Sequence, residues 1–274
     1  MNTKSLLISI VNGYEIVPIM TKKYAVIGSP ISHSKSPTIH GVIFKQLGIT
    51  AEYSAFEVSD LMEFLKPRND IAGLSVTMPL KSQAFELATE LDFWAQRTGV
   101  VNTLVRTDNG WSGFNTDVFG LRQAANSATF QTVAVLGTGA TARSALVAFQ
   151  DSDLMLWGRN ESSSSKLAAE FDFRSVQFEE ALSADLVVST LPGEALLELI
   201  SKGSEHPGTL LSAAYSSGSD LAAVHFQRFV SGLDMLIWQA VGQQRIFSGL
   251  GPSAPIKDED NLIEVIKRAL DMTK

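Results

Sequence analysis

The stretch Val133-Ala134-Val135-Leu136-Gly137-Thr138-Gly139-Ala140-Thr141-Ala142-Arg143 decides how the second half of the chain is interpreted. Four apolar residues favour a buried strand, Gly-Thr-Gly allows a tight turn, and the run from Ala140 to Phe149 contains no Pro or Gly to stop a helix. A strand, turn and helix in this order direct backbone N–H groups and a positive helix end at one spot, where the glycines let an anion approach. The pattern predicts a pyrophosphate site for a dinucleotide, with Ala142 at its third small position; an ordinary glycine turn is the alternative.

Length and composition indicate a globular chain of two domains. Its 274 residues exceed the usual size of a single domain. The residues are 45% hydrophobic and 19% charged, and the formal charge of −7 argues against a nucleic-acid surface, which needs clustered Lys and Arg. The chain has no cysteine, which excludes disulfides, thiolate zinc sites and a cysteine nucleophile. A reducing cytoplasm is the expected location.

Neither a membrane span nor a signal peptide is predicted. No apolar run is long enough to cross a bilayer. The apolar run 6–11 is interrupted by Asn12 and Gly13, and no small-residue cleavage pattern follows it. Because Met20 stands just before the first convincing strand, residues 1–19 are expected to be an extension that the fold does not need.

The first part of the chain alternates predicted strands with predicted helices. The predicted strands are 24–28, 53–58 and 71–77, and the predicted helices between and after them include 61–65 and 83–91. The turn signal Asp108-Asn109-Gly110 joins two further strands as a hairpin. This alternation is typical of a mostly parallel sheet covered by helices and predicts an α/β fold.

A serine-rich loop follows the first predicted strand. Ser36 before Pro37 indicates a helix start with Ser36 as the N-cap. Ser32, Ser34 and Ser36 alternate in a stretch expected to be extended, which puts the last two hydroxyls on one side. Beside a helix N-terminus these hydroxyls could hold a carboxylate, and simple capping by Ser36 is the alternative.

Polar residues also stand where predicted strands end. Thr77 and Lys81 fall at the carboxyl end of a strand, where the ligands of open α/β sheets collect. Asn102 interrupts an apolar strand, and Asp117 precedes a helical run. A single Lys is more often a solvated charge, and a single Asp is more often a helix N-cap. These residues therefore indicate a site only when they are taken together.

The residues after the second strand of the second half indicate which dinucleotide binds. Five strand and helix units between 133 and 226 favour a doubly wound nucleotide-binding sheet. A free ribose 2′-hydroxyl usually meets Asp or Glu at the second strand end, but this chain has Gly158 and Arg159 there. Arginine binds a 2′-phosphate through charge-assisted hydrogen bonds, which favours NADP over NAD; a surface arginine is the alternative. Ser162 to Ser165 resembles a short flexible linker close to the expected phosphate.

The last section places a polar amide among large apolar residues. Gln239 lies in a helix predicted after a loop that starts at Gly232. Burying an unpaired amide costs about 1–3 kcal/mol, so Gln239 is expected at the surface or facing a polar ligand. The terminal helix 261–270 is expected to pack back on the first domain. No metal is expected, because four histidines lack metal-like spacing and are interpreted as loop or surface residues: His33, His40, His206 and His225.

Six ordered motifs make the chain, from Tyr24 onward, resemble the shikimate dehydrogenase family. The motifs are Gly28-Ser29-Pro30-Ile31-Ser32-His33-Ser34-Lys35-Ser36-Pro37, Ser75-Val76-Thr77-Met78-Pro79-Leu80-Lys81, Val101-Asn102-Thr103, Asn115-Thr116-Asp117, the glycine turn, and Gly232-Leu233-Asp234-Met235-Leu236-Ile237-Trp238-Gln239. The resemblance implies a substrate domain (20–117 plus 237–274) and a Rossmann-like NADP domain (118–236), with the active site in the cleft between them. It also implies an oxidoreductase of aromatic amino acid biosynthesis, which reduces 3-dehydroshikimate to shikimate reversibly with NADPH.

The same resemblance assigns roles to individual residues. Lys81 and Asp117 are the implied catalytic pair, with the Lys81 ammonium supplying a proton or electrostatic stabilisation to the ketone oxygen. The implied substrate ligands are Ser34, Ser36 and Tyr215 for the carboxylate and Thr77, Asn102 and Gln239 for the ring hydroxyls. The implied cofactor ligands are Gly137, Thr138, Gly139, Ala140, Thr141, Arg159, Thr190 and Gly232.

Two positions depart from the common family pattern, and two alternative functions stay open beside the implied one. Ser75 stands where many members have Asn, as in some members of actinobacterial type, and Asp234 stands where Gly is common. The alternatives are a quinate/shikimate dehydrogenase, which tends to have Thr in place of Ser36 and an acidic residue in place of Arg159, and a catalytically silent nucleotide-binding sensor. A monomer or a homodimer is usual for the family.

Overall fold

A computed structural model describes residues 21–126, 128–200, 205–215 and 217–271, together with two short antiparallel strands, β1 (Ile10–Val11) and β2 (Tyr14–Glu15). The predicted extension 1–19 otherwise lies outside the described residues. Among the described residues, no helix combines the length and the apolar character that a membrane crossing requires.

The first half of the chain forms one six-stranded sheet. Its strands are β3 (Lys22–Gly28), β4 (Ala51–Glu57), β5 (Ile71–Val76), β6 (Glu90–Leu91), β7 (Thr103–Thr107) and β8 (Gly110–Phe114), in the order β4-β3-β5-β7-β8-β6. Only β7 runs against its neighbours, because the tight turn at residues 108 and 109 returns the chain as a hairpin. The remaining pairs are parallel, so the predicted mostly parallel sheet is confirmed.

The helices of this half are α1 (Ser36–Leu47), α2 (Leu61–Leu65), α3 (Lys81–Leu87), α4 (Phe93–Thr98) and α5 (Asp117–Ala124). The helix predicted at 83–91 is wrong at both ends: it begins at Lys81 and ends at Leu87. Ala88 turns to an extended conformation, and Glu90–Leu91 then pairs with β8 as an edge strand. Sheet pairing has overridden the helical periodicity of the local sequence.

The second half forms a six-stranded sheet in which every pair is parallel. Its strands are β9 (Thr132–Leu136), β10 (Asp153–Trp157), β11 (Arg174–Ser175), β12 (Leu186–Ser189), β13 (His206–Ser212) and β14 (Phe226–Val230). The spatial order is β11-β10-β9-β12-β13-β14, which is the Rossmann order 3-2-1-4-5-6 and confirms the predicted fold class. Strand β11 was not predicted from the sequence, since its two exposed polar residues give no apolar pattern.

Helices cover this sheet and connect it back to the first. They are α6 (Ala140–Ala148), α7 (Glu161–Phe171), α8 (Phe178–Ala181), α9 (Gly193–Ile200), α10 (Ser217–Ala223), α11 (Gly232–Phe247) and α12 (Glu259–Asp271). The run Ser162 to Ser165, interpreted as a flexible linker, is instead the first turn of α7. The Asn160 side chain caps this helix by accepting a hydrogen bond of 2.9 Å from the Ser163 N–H.

Apolar side chains explain how α11 and α12 pack against α1. Ile39 and Ile43 of α1, Ile237 of α11 and Ile263 and Ile266 of α12 are all buried in one cluster. Burial of each such side chain contributes about 1.5–3 kcal/mol. The C-terminal helix therefore returns to the side of the first sheet, as predicted.

Candidate active site

Two cavities meet where the two sheets face each other. The first, of about 250 Å³, lies beside the ends of β3 and β5 and the start of α11, and we call it the substrate cavity. The second, of about 560 Å³, lies over the glycine turn after β9, and we call it the cofactor cavity. Both cavities are lined by Thr77, Lys81 and Thr141.

Lys81 and Asp117 form an ion pair at this junction. Lys81 is the first residue of α3, Asp117 the first of α5, and Lys81 Nζ lies 2.5 Å from Asp117 Oδ2. Their side chains are only 12% and 6% exposed, so the attraction is screened less than it would be at the surface. Asp117 does not serve as the N-cap of α5, which is Thr116, so its carboxylate is available to Lys81.

Asn102 fixes the second oxygen of the Asp117 carboxylate. Its Nδ2 donates to Asp117 Oδ1 at 2.8 Å and to Thr116 Oγ1 at 3.0 Å. Its Oδ1 accepts from the Thr116 N–H at 2.9 Å and from the Thr103 hydroxyl at 2.8 Å. A buried amide with both ends satisfied is rigid, so Asn102 holds Asp117 in one orientation. Asn102 lies just before β7 rather than inside a strand.

The α11 helix presents two glutamines to the same cavity, one turn apart. Gln239 is 7% exposed; its Nε2 donates to the Leu236 carbonyl at 2.9 Å, and its Oε1 lies 3.4 Å from Asn102 Nδ2. Gln243 is 1% exposed, and its Nε2 donates to the Asn102 carbonyl and to Thr103 Oγ1. Gln243 was not predicted from the sequence, although its i, i+4 spacing from Gln239 indicates that both residues share a helix face.

The serine loop differs from the sequence prediction. Ser36 is not the N-cap of α1; Lys35 holds that position, and Ser36 is the first helical residue. The stretch is not extended, since the Ser34 N–H donates to the Ile31 carbonyl across a turn at 2.9 Å. The turn nevertheless brings both hydroxyl-bearing residues to the substrate cavity, with Ser34 Oγ 3.3 Å from the Ser36 N–H.

His40 is fully buried, so its interpretation as a loop or surface residue is wrong. It lies inside α1, stacked on the Tyr53 ring at 4.2 Å between centroids, and its Nε2 lies 3.2 Å from Gln243 Oε1. Desolvation lowers the pKa of His40 to about 4, which keeps the ring neutral at neutral pH. Burial also raises the pKa of the Tyr53 hydroxyl, which therefore stays protonated.

The cofactor cavity is built on the predicted glycine turn. Gly137 has a φ of 119°, and a Cβ there would lie 2.2 Å from Thr190 Oγ1, so only glycine fits. A Cβ on Gly139 would meet nothing within 4 Å. Gly139 is exposed to the cavity just before α6 begins, which leaves backbone N–H groups open to an anion.

Arg159 lies at the edge of this cavity, beyond the end of β10. It is exposed, and the described part of the chain provides its guanidinium with no hydrogen-bond or ion-pair partner. Ser164 faces away, because it is buried and its hydroxyl donates to the Glu161 carbonyl at 3.1 Å. Ser162 and Ser163 are exposed in the first turn of α7.

The structure brings the residues named from the sequence to these two cavities. The substrate cavity is lined by Ser34, Ser36, Thr77, Lys81, Asn102, Asp117, Tyr215, Gly232 and Gln239. The cofactor cavity is lined by Gly137, Thr138, Gly139, Ala140, Thr141, Arg159 and Thr190. Gly232, expected with the cofactor, thus lies on the substrate side, while Asp234 points elsewhere and pairs with Lys267 of α12 at 3.3 Å.

Known proteins resemble this chain in sequence. Residues 26–104 match the family model described as the shikimate dehydrogenase substrate binding domain. Shikimate dehydrogenase (NADP(+)) of Syntrophobacter fumaroxidans is 31% identical over 83% of this chain and 87% of its own length. The pentafunctional AROM polypeptide of Yarrowia lipolytica is 30% identical over 83% of this chain, which spans only 17% of that polypeptide.

Solved structures share the whole fold. Mycobacterium tuberculosis shikimate dehydrogenase superposes with a TM-score of 0.78 at 32% identity, covering 92% of this chain and 99% of its own. The Thermus thermophilus enzyme, solved in complex with NADP(H) and shikimate, gives a TM-score of 0.75 at 28% identity, covering 91% and 100%.

The fold and the paired cavities define a two-domain α/β protein with a Rossmann-type dinucleotide sheet. Within that class, the chain belongs to the shikimate dehydrogenase family.

Proposed function

We propose that this chain is an NADP-dependent oxidoreductase that reversibly reduces 3-dehydroshikimate to shikimate, a step of aromatic amino acid biosynthesis. The observation that carries the proposal is the Lys81–Asp117 pair at the junction of the two cavities, where a ring ketone and a nicotinamide could meet. Two relatives support the same reaction: one is a shikimate dehydrogenase (NADP(+)), and the Thermus thermophilus enzyme was solved in complex with NADP(H) and shikimate.

Lys81 and Asp117 are proposed as the catalytic pair. NADPH, when bound, supplies the hydride for the ketone carbon. As negative charge develops on the ketone oxygen, the Lys81 ammonium stabilises it and holds a proton for it at Nζ. Asp117, fixed by Asn102, orients that ammonium.

The polar wall of the substrate cavity suits a polyhydroxylated acid. Ser34, Ser36 and Tyr215 are proposed to bind its carboxylate. Thr77, Asn102 and Gln239 are proposed to bind its ring hydroxyls, since amides and hydroxyls both donate and accept hydrogen bonds.

The cofactor cavity fits NADP through two independent features. The open space over Gly139 and the start of α6 suit a pyrophosphate. The unpartnered Arg159 guanidinium suits the 2′-phosphate, which an acidic residue there would repel. Thr138, Ala140, Thr141 and Thr190 are proposed to line the rest of this site, with Gly232 near the nicotinamide.

The domain assignment is part of the proposal. Residues 20–117 and 237–274 form the substrate domain, and 118–236 the NADP domain. Shared burial of Ile39, Ile237 and Ile266 supports the first, and that of Val118 and Val135 supports the second. The protein is proposed to be cytoplasmic and to be a monomer or a homodimer. Light scattering after size-exclusion chromatography measures the molar mass, which distinguishes these two oligomeric states.

Initial rates with shikimate and with quinate, each with NADP⁺ and with NAD⁺, test the proposed function. Shikimate with NADP⁺ is expected to give the highest kcat/KM. A clear preference for quinate with NAD⁺ would instead identify a quinate dehydrogenase. Binding of NADPH without turnover of either substrate would identify a silent nucleotide-binding sensor.

A further inference from the structure

A chain of hydrogen bonds runs behind the substrate cavity, through residues that the proposed reaction does not use. The Tyr53 hydroxyl lies 2.5 Å from Ser75 Oγ, and Ser75 Oγ lies 2.7 Å from Gln243 Oε1. Ser75 is 4% exposed and lines the substrate cavity. Gln243 ends the chain at the backbone carbonyl of Asn102, 3.2 Å away.

The donor and the acceptor of each hydrogen bond between Tyr53 and the Asn102 carbonyl can be assigned. The Asn102 carbonyl can only accept, so the amide nitrogen of Gln243 must face it and Oε1 must face Ser75. Ser75 therefore donates its only hydrogen to Gln243. It follows that Tyr53 is the donor in the Tyr53–Ser75 hydrogen bond.

The tautomer of His40 follows from its contact with Gln243. Its Nε2 faces Gln243 Oε1, so Nε2 carries the proton, and Nδ1 is left without a partner among the described residues. The neutral ring stacks on Tyr53 and holds the phenol in place. Tyr53 also lies beside the Ser36 hydroxyl, which lowers its pKa against the larger effect of burial. Tyr53 is thus hydrogen-bonded to Ser75 and has the Ser36 hydroxyl nearby.

Ser75 keeps one unused lone pair and no hydrogen to donate. A group bound against it must be a donor, such as a ring hydroxyl, while a carboxylate there would place oxygen lone pairs against each other. An Asn at this position would carry an N–H₂ donor as well, so it could bind a carboxylate as readily as a hydroxyl.

We propose that Tyr53 is a positioning residue of the substrate cavity, which holds Ser75 as a hydrogen-bond acceptor for a donor group of the substrate, such as a ring hydroxyl. This inference rests on the proposed function, because it takes shikimate as the ligand. Tyr53 acts through Ser75, and its loss alters substrate binding rather than the reaction step.

Steady-state kinetics and shikimate calorimetry on four variants test this proposal: Tyr53→Phe, Ser75→Ala, the double variant, and Tyr24→Phe. Tyr24 is a matched control, since it lies opposite Tyr53 on the neighbouring strand but its hydroxyl donates to the Phe247 carbonyl. Y53F is expected to raise the KM and Kd for shikimate about three- to tenfold, with kcat and the KM for NADP⁺ within about twofold. In the S75A background, Y53F is expected to add less than about twofold.

A Y53F variant whose shikimate affinity matches that of Y24F would overturn the proposal, as would a full Y53F effect in the S75A background. A fall in kcat at unchanged KM would assign Tyr53 to the reaction step instead. Shikimate calorimetry distinguishes failure of this proposal from failure of the proposed function. A wild-type protein that binds shikimate without oxidising it would contradict the proposed reaction. The comparison of Y53F with Y24F would still test the role of Tyr53.

Discussion

Lys81 Nζ lies 2.5 Å from Asp117 Oδ2, across 36 residues of sequence and between the first turns of two helices. The pair lines the substrate cavity, and Lys81 also lines the cofactor cavity. Asn102 binds the other carboxylate oxygen at 2.8 Å. The Lys81 ammonium is thereby held at the junction of the two cavities.

Substitution Lys81→Ala is expected to lower kcat for shikimate oxidation by about 10²- to 10⁴-fold with little change in KM, because the ammonium acts on charge that develops during the reaction. Steady-state rates measure both constants. Lys23→Ala is the control, since Lys23 pairs with Asp70 at 2.7 Å on the surface of the same sheet. A near-normal kcat for K81A would refute the catalytic role.

Substitution Asn102→Ala is expected to lower the free energy of unfolding by about 1–3 kcal/mol, because Thr116 and Thr103 lose buried hydrogen-bond partners. It should also lower kcat, since Asp117 loses the donor that orients it. Urea unfolding and kinetics measure the two effects. Asn261→Ala, which removes an exposed hydrogen bond to Asp258, should change neither. A stable N102A with full activity would contradict the role of Asn102.

The two glycines of the turn are expected to respond differently to alanine. Gly139→Ala meets no protein atom, so its free energy of unfolding should stay within about 0.5 kcal/mol of the wild type while NADPH binding weakens at least about tenfold. Gly137→Ala must displace Thr190 and should be destabilised. Thermal unfolding and fluorescence titration with NADPH distinguish the two. Wild-type NADPH affinity in G139A would exclude the turn as the pyrophosphate site.

Substitution Arg159→Ala is expected to raise the KM for NADPH about 10- to 100-fold and to leave the KM for NADH nearly unchanged, because only NADPH carries the 2′-phosphate. The wild-type preference should weaken with added salt. Arg174→Ala serves as the control, since Arg174 already pairs with Glu180 at 2.8 Å on the same sheet. Equal losses for both cofactors would show that Arg159 does not discriminate between them.

His40 is expected to make stability depend on pH. Its pKa is lowered to about 4 in the folded state, so between pH 6.5 and 4 the unfolded chain binds the extra proton, and stability falls as the pH falls through this window. The slope contributed is at most about 1.4 kcal/mol per pH unit. Urea unfolding of wild type and His40→Gln at pH 7.5 and 5 measures it. An identical pH dependence in both proteins would contradict a buried, neutral His40.

The sequence predicted the α/β fold because apolar runs indicate strands and glycine turns indicate where strands end. The prediction was wrong where strand pairing or helix capping overrides the local residue composition. The short strand Glu90–Leu91 is set by its pairing with β8, and the serines after Arg159 are helical because Asn160 caps them and Leu167 and Ala168 are buried.

The candidate site was predictable where a residue type is unusual in its setting. Asn102 in an apolar run and Gln239 in an apolar helix are such residues, and both line the substrate cavity. Tyr53 and His40 were not found, because an aromatic in a strand and a histidine in a helix are ordinary locally. Their contacts are seen only in the tertiary structure, where His40 meets Gln243 and Tyr53 meets Ser75.

The proposed reaction is tested most directly by mixing the purified chain with NADPH and 3-dehydroshikimate and measuring both nicotinamide absorbance and shikimate. We expect NADPH to be consumed and one shikimate to form for each NADPH oxidised. Binding of NADPH with no oxidation on addition of 3-dehydroshikimate would contradict the proposed reaction.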